Sequence, residues 1–227
     1  PTDLVIVVGD VNSTLACSLV AVKMGIKIAH VEAGLRSKNW EMPEEINRVL
    51  TDQLSNMLFT TSRVANNNLL REGVSSEKIY FVGNVMIDTL LEFKKKSDLS
   101  NILIRKGLVG KDYALVTLHR PSNVDSFHNL SKNILFLNRL SKSIRVVFSI
   151  HPRTKSKLKN NELWTKLIKE NEIILLDAMG YLDFIKIMSN SKVVITDSGG
   201  IQEETTVLGI PCITLREETE RFETVTI

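Results

Sequence analysis

The chain has 227 residues, of which 43% are hydrophobic and 24% are charged, and its formal net charge is +3. This length can hold one large domain or two small ones, and the composition is ordinary for a globular protein. The weak, scattered charge argues against nucleic acid as a partner, and the lysine run at residues 94–96 is expected to be a solvated linker. No apolar run reaches the roughly 18 residues of a membrane span.

Short β-branched runs alternate along the chain with longer amphipathic stretches. The strand candidates are residues 4–8, 26–31, 57–60, 79–82, 113–117, 145–150, 172–176, 193–196 and 211–214. The helix candidates between them are residues 13–23, 43–54, 62–72, 85–94, 127–140, 163–170, 181–189 and 200–208. Nearly continuous apolar strands that alternate with helices predict parallel sheets covered on both faces. The predicted fold class is therefore α/β and Rossmann-like.

The alternation lapses into a polar, lysine-rich stretch at residues 92–112, so a domain junction is expected between residues 83 and 100. We assign residues 1–83 to a partial N-terminal Rossmann-like domain and residues 84–227 to a second Rossmann-like domain. The chain begins inside a strand and ends without a terminal helix. Both ends therefore look cut, so the first domain is expected to be incomplete and the second to lack its final segment.

The cysteines and histidines offer no site of their own. Cys17 and Cys212 lie far apart in apolar segments, which predicts two buried, reduced thiols in a cytoplasmic protein. The four histidines are dispersed, and no His/Cys cluster has the spacing of a metal site. No metal is expected.

Polar residues that directly follow strands are the candidates for chemistry, because ligands of open α/β sheets bind beyond the carboxyl ends of the strands. Asp10 follows the first strand and either caps the next helix or acts in function. Glu32 closes an interior strand, where a carboxylate is costly unless it is used or paired, for example with Arg36. Glu44 lies in a first helical turn, where the helix dipole favours it and Arg48 could form an ordinary intrahelical pair.

The strongest local pattern is at residues 192–204, where a strand runs into Ser198, Gly199 and Gly200 at the start of a helix. Glycines let a phosphate approach the backbone, and the N–H groups and helix dipole favour an anion; the alternative is an ordinary N-cap. Glu204, about one turn into that helix, could accept hydrogen bonds from ribose hydroxyls.

Two further strands end in a histidine near an arginine. The pairs are His119 with Arg120 and His151 with Arg153. A titratable ring near a fixed cation suits a phosphorylated substrate, although each pair alone is as readily structural.

Taken in order, these segments resemble the non-hydrolysing UDP-N-acetylglucosamine (UDP-GlcNAc) 2-epimerases. The matching motifs are GDxxSTLA (9–16), HVEAGLRS (30–37), MPEEINRVLTD (42–52), VGNVMIDTL (82–90), TLHRPSNVD (117–125), HPRT (151–154), TDSGGIQEE (196–204) and GIPCITLREETERFETV (209–225). Eight ordered motifs span nearly the whole chain, which makes a chance similarity implausible.

The resemblance implies a GT-B-like fold, in which two Rossmann-like domains hold the nucleotide sugar in the cleft between them and UDP lies mainly on the second. It places Phe184 near the uracil pocket and Glu204 on the ribose. The other residues expected to bind the UDP-sugar are Arg120, Ser198, Gly199, Gly200 and Arg221. A homodimer is expected from the same resemblance.

The implied reaction eliminates UDP across C1–C2 to give 2-acetamidoglucal and then adds UDP back with C2 inverted. Asp10, Glu32 and Glu44 are expected to transfer protons, with His119 and Arg221 at the diphosphate. These groups need no organic cofactor and no metal. Which carboxylate serves which face of the sugar is left open.

The sequence departs from the family pattern in ways that keep alternatives open. The family's opening GTRPE-type loop and its C-terminal part have no counterpart in this sequence, so we expect little or no turnover from this polypeptide. The short segment after Arg36 leaves the sugar open to N-acetylfucosamine or diacetamido uronic acid types. A GT-B glycosyltransferase, which need not carry the Glu32/Glu44 pair, and a non-catalytic UDP-sugar-binding module remain as other classes.

Overall fold

A computed structural model describes residues 2–160, 163–168, 173–216, 219–221 and 224–225. The chain divides into two compact units: unit 1 is Pro1–Val85 with Glu218–Ile227, and unit 2 is Met86–Glu217. The division lies within the expected junction and two residues beyond the assigned boundary. It groups the residues from 218 onward, which we had assigned to the second domain, with unit 1.

Unit 1 alternates strands and helices around a four-stranded parallel sheet in the order β1-β2-β3-β4. Its elements are β1 (Leu4–Val8), α1 (Asn12–Lys23), β2 (Lys27–Ala33), α2 (Pro43–Leu54), β3 (Met57–Thr60), α3 (Arg63–Arg71), a 3-10 turn (Ser76–Lys78) and β4 (Ile79–Phe81). The sheet is parallel because a helix or turn covers each crossover between neighbouring strands.

Unit 2 has a five-stranded parallel sheet in the order β7-β6-β5-β8-β9. Its elements are α4 (Val85–Ser97, whose first residue is counted with unit 1), α5 (Ile102–Arg105), β5 (Tyr113–Leu118), α6 (Pro121–Val124), α7 (Phe127–Leu140), β6 (Arg145–Ile150), α8 (Pro152–Asn160), α9 (Leu163–Ile168), β7 (Ile173–Leu176), α10 (Tyr181–Ser189), β8 (Val193–Thr196), α11 (Gly199–Leu208) and β9 (Cys212–Thr214). All six residues of the central strand β5 are buried, as a strand covered on both faces requires.

The predicted α/β class with two Rossmann-like parallel sheets is confirmed, but several local predictions are wrong. The short helices α5, α6 and α8 are absent from the sequence prediction, because four to nine residues carry little periodicity. Residues 94–96 are not a linker: they form part of the last turns of α4, where positive charge complements the helix dipole. The predictions at residues 169–170 and 172 lie outside the described residues.

The expectation of two buried thiols is wrong. Cys17 is exposed and Cys212 is partly buried. The buried positions of α1 are Thr14, Ser18 and Ala21. One residue corresponds to about 100° of rotation around a helix, so Cys17 lies well away from the buried side of Ser18. None of the described helices combines the length and the hydropathy needed to cross a membrane.

Two glycines with similar backbone conformations provide a test of the turn after β2. Gly34 has a φ of +81°, and a Cβ there would lie 2.6 Å from the backbone oxygen of Ala65; Gly25 has a φ of +72° and nothing within 4 Å. Gly25→Ala should therefore lower the free energy of unfolding by only about 1 kcal/mol, the left-handed cost. Gly34→Ala adds a backbone clash and should cost about 2 kcal/mol more.

Urea unfolding followed by peptide-resolved hydrogen exchange in unit 1 measures both variants on the same peptides. Equal losses in the two variants would show that the contact with Ala65 does not constrain this turn.

Candidate functional site

In unit 1, residues from the loop after β1 and from the start of α2 surround one cavity of about 470 Å³. Asp10 and Glu44 both line it, together with Asn12, Ser13 and Asn47. Asp10 directly follows Gly9 in the loop after β1. Glu44 lies in the first turn of α2, after Pro43 at the first helical position. The structure thus brings two of the three predicted carboxylates to one opening.

Asp10 is held by a buried arginine. The Nη2 of Arg48, whose side chain is 4% exposed, lies 2.6 Å from Oδ2 of Asp10, and its Nη1 lies 3.0 Å from Glu45. The N-cap of α1 is Val11, so the capping role considered for Asp10 is wrong. The pair expected between Arg48 and Glu44 is also wrong: Glu45 is buried on the side that Arg48 occupies, whereas Glu44 is exposed.

Glu32 lies in an irregular, strained part of β2. Its φ is +73°, and the pairing of β2 with β3 shifts register between Val31 and Ala33. Left-handed conformations of residues with side chains cost about 1 kcal/mol or more and cluster at functional sites. A Cβ on Gly9 would lie 3.6 Å from Oε2 of Glu32, so this carboxylate reaches the residue that precedes Asp10.

Glu32 forms an ion pair with Arg221, and the alternative pair with Arg36 is wrong. Arg36 instead contacts Asp52 at 2.8 Å and Glu72 at 2.7 Å. The Arg36 guanidinium is buried, which by itself lowers its pKa, but the two carboxylates outweigh burial and the pKa is raised. Arg36 therefore pairs within a buried network with Asp52 and Glu72, and Glu32 pairs with Arg221, which lies far along the chain.

A buried histidine, not identified from the sequence as a candidate, joins the strand ends in unit 1. His30 Nδ1 lies 2.6 Å from Oδ1 of Asp52, and its Nε2 donates to the carbonyl of Gly9 at 2.9 Å. Asp52 also accepts the backbone N–H of Gly34. The network thus fixes the turns on both sides of Glu32. A histidine inside an otherwise apolar strand was the sequence signal for it.

In unit 2, a second cavity of about 390 Å³ lies at the carboxyl ends of the strands. It is lined by His119, Phe184 and Ser198, three of the predicted site residues, and by His151. The strand order reverses between β5 and β8, and such a switch point is where open α/β sheets bind ligands.

The N-terminus of α11 opens beside this cavity. Ser198 is its N-cap, with Oγ accepting the N–H of Ile201 at 3.5 Å, and Gly199 and Gly200 are its first residues. The N-cap alternative is therefore confirmed for Ser198. The helix dipole and the N–H groups of Gly199 and Gly200 remain for an anion.

His119 rests on a buried carboxylate that the sequence analysis did not single out. Asp197, which directly follows β8, is 0% exposed and lies 2.8 Å from Nδ1 of His119. It also accepts the backbone N–H groups of His119 and Arg120 and the side-chain amide of Asn123. Burial by itself raises the pKa of Asp197, but these hydrogen bonds outweigh burial and hold the pKa below its ordinary value.

Glu204 lies on α11, 5% exposed, where it accepts a hydrogen bond from the hydroxyl of Tyr181 at 2.7 Å. Burial raises the pKa of Glu204, and the Tyr181 hydroxyl offsets part of this rise. Burial and the neighbouring carboxylate also raise the pKa of Tyr181.

The predicted site residues are not all gathered in these two cavities. Arg120 follows β5 and donates from Nε to the backbone carbonyl of Asp197 at 3.0 Å. Arg221 belongs to unit 1, where it contacts Glu32. Within the described ranges, no group of three or more His, Cys, Asp or Glu residues is arranged to hold a metal ion.

Comparison with known proteins matches the whole chain. Residues 1–227 match a family model described as UDP-N-acetylglucosamine 2-epimerase. A UDP-N-acetylglucosamine 2-epimerase from Methanocaldococcus jannaschii is 47% identical over 99% of this chain and 63% of its own length. A UDP-2,3-diacetamido-2,3-dideoxy-D-glucuronate 2-epimerase from Pseudomonas aeruginosa is 45% identical over 98% of this chain and 61% of its own length.

Solved structures agree with the sequence relatives. The crystal structure of the M. jannaschii UDP-GlcNAc 2-epimerase in complex with UDP-GlcNAc and UDP has a TM-score of 0.91 and 46% identity, covering 99% of this chain and 63% of that one. The Neisseria meningitidis enzyme bound to UDP-GlcNAc has a TM-score of 0.86 and 34% identity, covering 98% and 62%. These matches confirm the predicted GT-B-like class, and the chain spans about 63% of the length of the first relatives.

The Arg48 ion pairs should contribute to the stability of unit 1. Arg48→Met keeps the aliphatic stem but leaves the Glu45 carboxylate, 1% exposed, with Ser37 and the Lys38 N–H as its donors. Breaking a buried pair from one side costs about 3 kcal/mol. The control Arg71→Met, at an exposed arginine of α3, should change the free energy of unfolding by less than about 0.5 kcal/mol.

Urea unfolding read from unit 1 peptides by hydrogen exchange compares the two variants. A loss for Arg48→Met no larger than that of the control would mean that the pairing with Asp10 and Glu45 carries no stability.

Proposed function

Since the chain belongs to the UDP-N-acetylglucosamine 2-epimerase family, we propose that its residues bind UDP-GlcNAc and interconvert it with UDP-ManNAc. The reaction eliminates UDP to give 2-acetamidoglucal and then adds UDP back, with the configuration at C2 inverted. The observation that carries the proposal is the set of three carboxylates in unit 1: Asp10, after β1, and Glu44, at the start of α2, share a cavity, and Glu32, in β2, reaches Gly9.

The carboxylates suit the two proton transfers of this reaction. Inversion at C2 needs one group that removes the C2 proton and another that returns a proton to the opposite face. Asp10 and Glu32 are partly buried beside arginines, and Glu44 is exposed in the cavity, so all three can reach a bound ligand. We assign the two roles within this set of three. The carboxylates and His119 perform this chemistry without a metal or an organic cofactor.

The UDP is assigned to unit 2, with Phe184 at the uracil and Ser198, Gly199 and Gly200 at the diphosphate. Support comes from the cavity that Phe184, His119 and Ser198 line and from the helix N-terminus beside it. Glu204 is assigned to the ribose hydroxyls. We also assign the positively charged side chains of Arg120 and Arg221 to the diphosphate. From the family resemblance we add a homodimer in the cytoplasm, with a UDP-sugar as the partner molecule.

The glycosyltransferase alternative loses its basis, because the chain belongs to the epimerase family and carries the Glu32/Glu44 pair. The sugar is assigned as N-acetylglucosamine because the relatives at 46% and 47% identity carry that name. The P. aeruginosa relative is 45% identical and is named for a UDP-activated diacetamido glucuronate, so we use that UDP-sugar as the competing substrate in the test below.

The first test is a substrate assay in D2O. The proposal predicts turnover where little or none was expected from the sequence, and this assay decides between the two. With UDP-GlcNAc, UDP-ManNAc should form and one deuterium should enter at C2. The UDP-activated diacetamido glucuronate should react at least about tenfold more slowly, a difference of about 1.4 kcal/mol. Asp10→Asn, Glu32→Gln and Glu44→Gln should each slow the exchange by about 100-fold or more. Mass spectrometry of the recovered sugar nucleotide measures both the product and the deuterium.

Glu41→Gln, at an exposed residue before α2, is the matched control and should exchange at the unaltered rate. UDP binding without exchange in the unaltered protein would favour the non-catalytic binding module. The absence of both would contradict every assignment made here, and faster reaction of the uronate would reassign the sugar.

The second test concerns Glu204 and the ribose. Glu204→Gln removes a charged acceptor and should weaken UDP binding by about tenfold to 100-fold, because a hydrogen bond to a charged group contributes about 1.5–3 kcal/mol. Calorimetric titration with UDP measures the dissociation constant. Glu92→Gln, an exposed residue of α4, is the control. Unchanged affinity in Glu204→Gln would remove this residue from the UDP site.

A further inference from the structure

The two strands that flank the switch point of the unit 2 sheet each end in a titratable residue. His119 directly follows β5, and Asp197 directly follows β8. These strands are parallel neighbours in register, with Thr117 opposite Thr196. Their next turns therefore emerge side by side, and the pairing of His119 with Asp197 is built into the sheet.

Four hydrogen-bond donors contact the carboxylate of Asp197. Its carboxylate accepts from Nδ1 of His119 at 2.8 Å, from the N–H of His119 at 3.0 Å, from the N–H of Arg120 at 2.8 Å and from Nδ2 of Asn123 at 3.1 Å. Three of these donors are backbone or amide groups that cannot become acceptors at those atoms. The carboxylate therefore stays an acceptor, and its pKa is held low for the same reason.

This environment settles which nitrogen of His119 carries a proton. An ionised carboxylate offers no hydrogen, so the bond to Nδ1 exists only if Nδ1 is protonated. The other nitrogen, Nε2, lies on the opposite side of the ring, and the side chain is 42% exposed and lines the unit 2 cavity. Among the described residues, none hydrogen-bonds to Nε2.

We propose that Asp197 is a positioning residue, which holds His119 in the Nδ1–H form so that Nε2 is the atom that exchanges a proton with the diphosphate. This inference rests on the proposed function and deepens it. The donating form of the ring carries protons on both nitrogens and is paired with Asp197. As the C1–O bond breaks, its electron pair goes to the diphosphate oxygen, and the Nε2 proton passes to that oxygen, which leaves the neutral Nδ1–H ring. When the bond re-forms, the proton returns to Nε2 and Nδ1 keeps its own proton throughout.

The substitution Asp197→Asn reverses the hydrogen bond without changing the size of the side chain. The Oδ2 position receives the N–H of Arg120 and the amide of Asn123, so the single carbonyl oxygen of an asparagine belongs there. Its NH2 group then faces Nδ1 of His119 and donates to it. The ring must place its proton on Nε2, and Nε2 can no longer accept one. The same exchange in the Ser-His-Asp triad produces the wrong tautomer and a large loss of kcat.

The first experiment reads the tautomer directly. Long-range 1H–15N correlation spectra of the 15N-histidine-labelled chain, at a pH where the ring is neutral, separate a protonated nitrogen from an unprotonated one. The chain has four histidines, and the spectrum of His119→Gln identifies the signals of residue 119. We expect a protonated Nδ1 in the unaltered protein and a protonated Nε2 in Asp197→Asn.

A protonated Nε2 in the unaltered protein would overturn the proposal, and so would a protonated Nδ1 that persists in Asp197→Asn. If Asp197→Asn does not fold, the spectrum of the unaltered protein still decides the tautomer. Asp112→Asn, at an exposed carboxylate next to β5, is the matched control and should leave the His119 signals in place.

The second experiment measures C2 exchange. Asp197→Asn should lower kcat by about 100-fold or more, because it removes the proton exchange at Nε2, and should change KM for UDP-GlcNAc less than about threefold. A flipped tautomer with an unchanged kcat would overturn the positioning role. Absence of exchange in the unaltered protein would contradict the proposed function and with it the catalytic part of this inference, while the spectra decide the tautomer separately.

Discussion

Charges at the ends of buried parallel strands have to be paired, and this constraint organises both units. Moving an ionised carboxylate out of water is so unfavourable that it persists only with hydrogen-bond donors or opposite charges around it. Asp52, in α2 of unit 1, and Asp197, directly after β8 of unit 2, are both fully buried. Each pairs with a histidine and accepts backbone N–H donation from a turn that follows a strand. Each carboxylate thereby fixes the shape of a loop from which candidate site residues project.

A second group of carboxylates differs from these in exposure. The side chains of Asp10 and Glu32 are 31% and 17% exposed, and a nearly buried arginine holds each of them on one side. A ligand can therefore reach the other side of the carboxyl group without displacing the arginine. The same division holds in unit 2, where the buried Asp197 fixes the ring of His119 and leaves Nε2 at the cavity.

Strain and rigidity coincide at Glu32. Its left-handed φ and the register shift of β2 are unfavourable for a residue with a side chain, yet the surrounding turns hold them in place. His30 donates to Gly9 on one side, and Asp52 accepts from Gly34 on the other. A carboxylate fixed in this way has little freedom to reorganise when charge develops on a bound ligand, which is what preorganised catalysis requires.

The sequence by itself determined the alternation of strands and helices, and with it the parallel sheets and the set of residues that follow each strand. Periodicity is a local property, so elements such as Pro43–Leu54 and Arg145–Ile150 were predicted to the residue. The order of the motifs in turn identified the family.

Only the tertiary structure decided how the charges pair. Local spacing predicted that Glu32 could pair with Arg36 and Glu44 with Arg48. In the folded chain Glu32 pairs with Arg221 instead, and Arg48 pairs with Asp10 and Glu45. Two of these pairs join residues far apart in the chain, and the choice between Glu44 and Glu45 depends on which side of α2 is buried. The role of Asp197 was hidden for the same reason, since His119 lies 78 residues away and meets it only because β5 and β8 are neighbours.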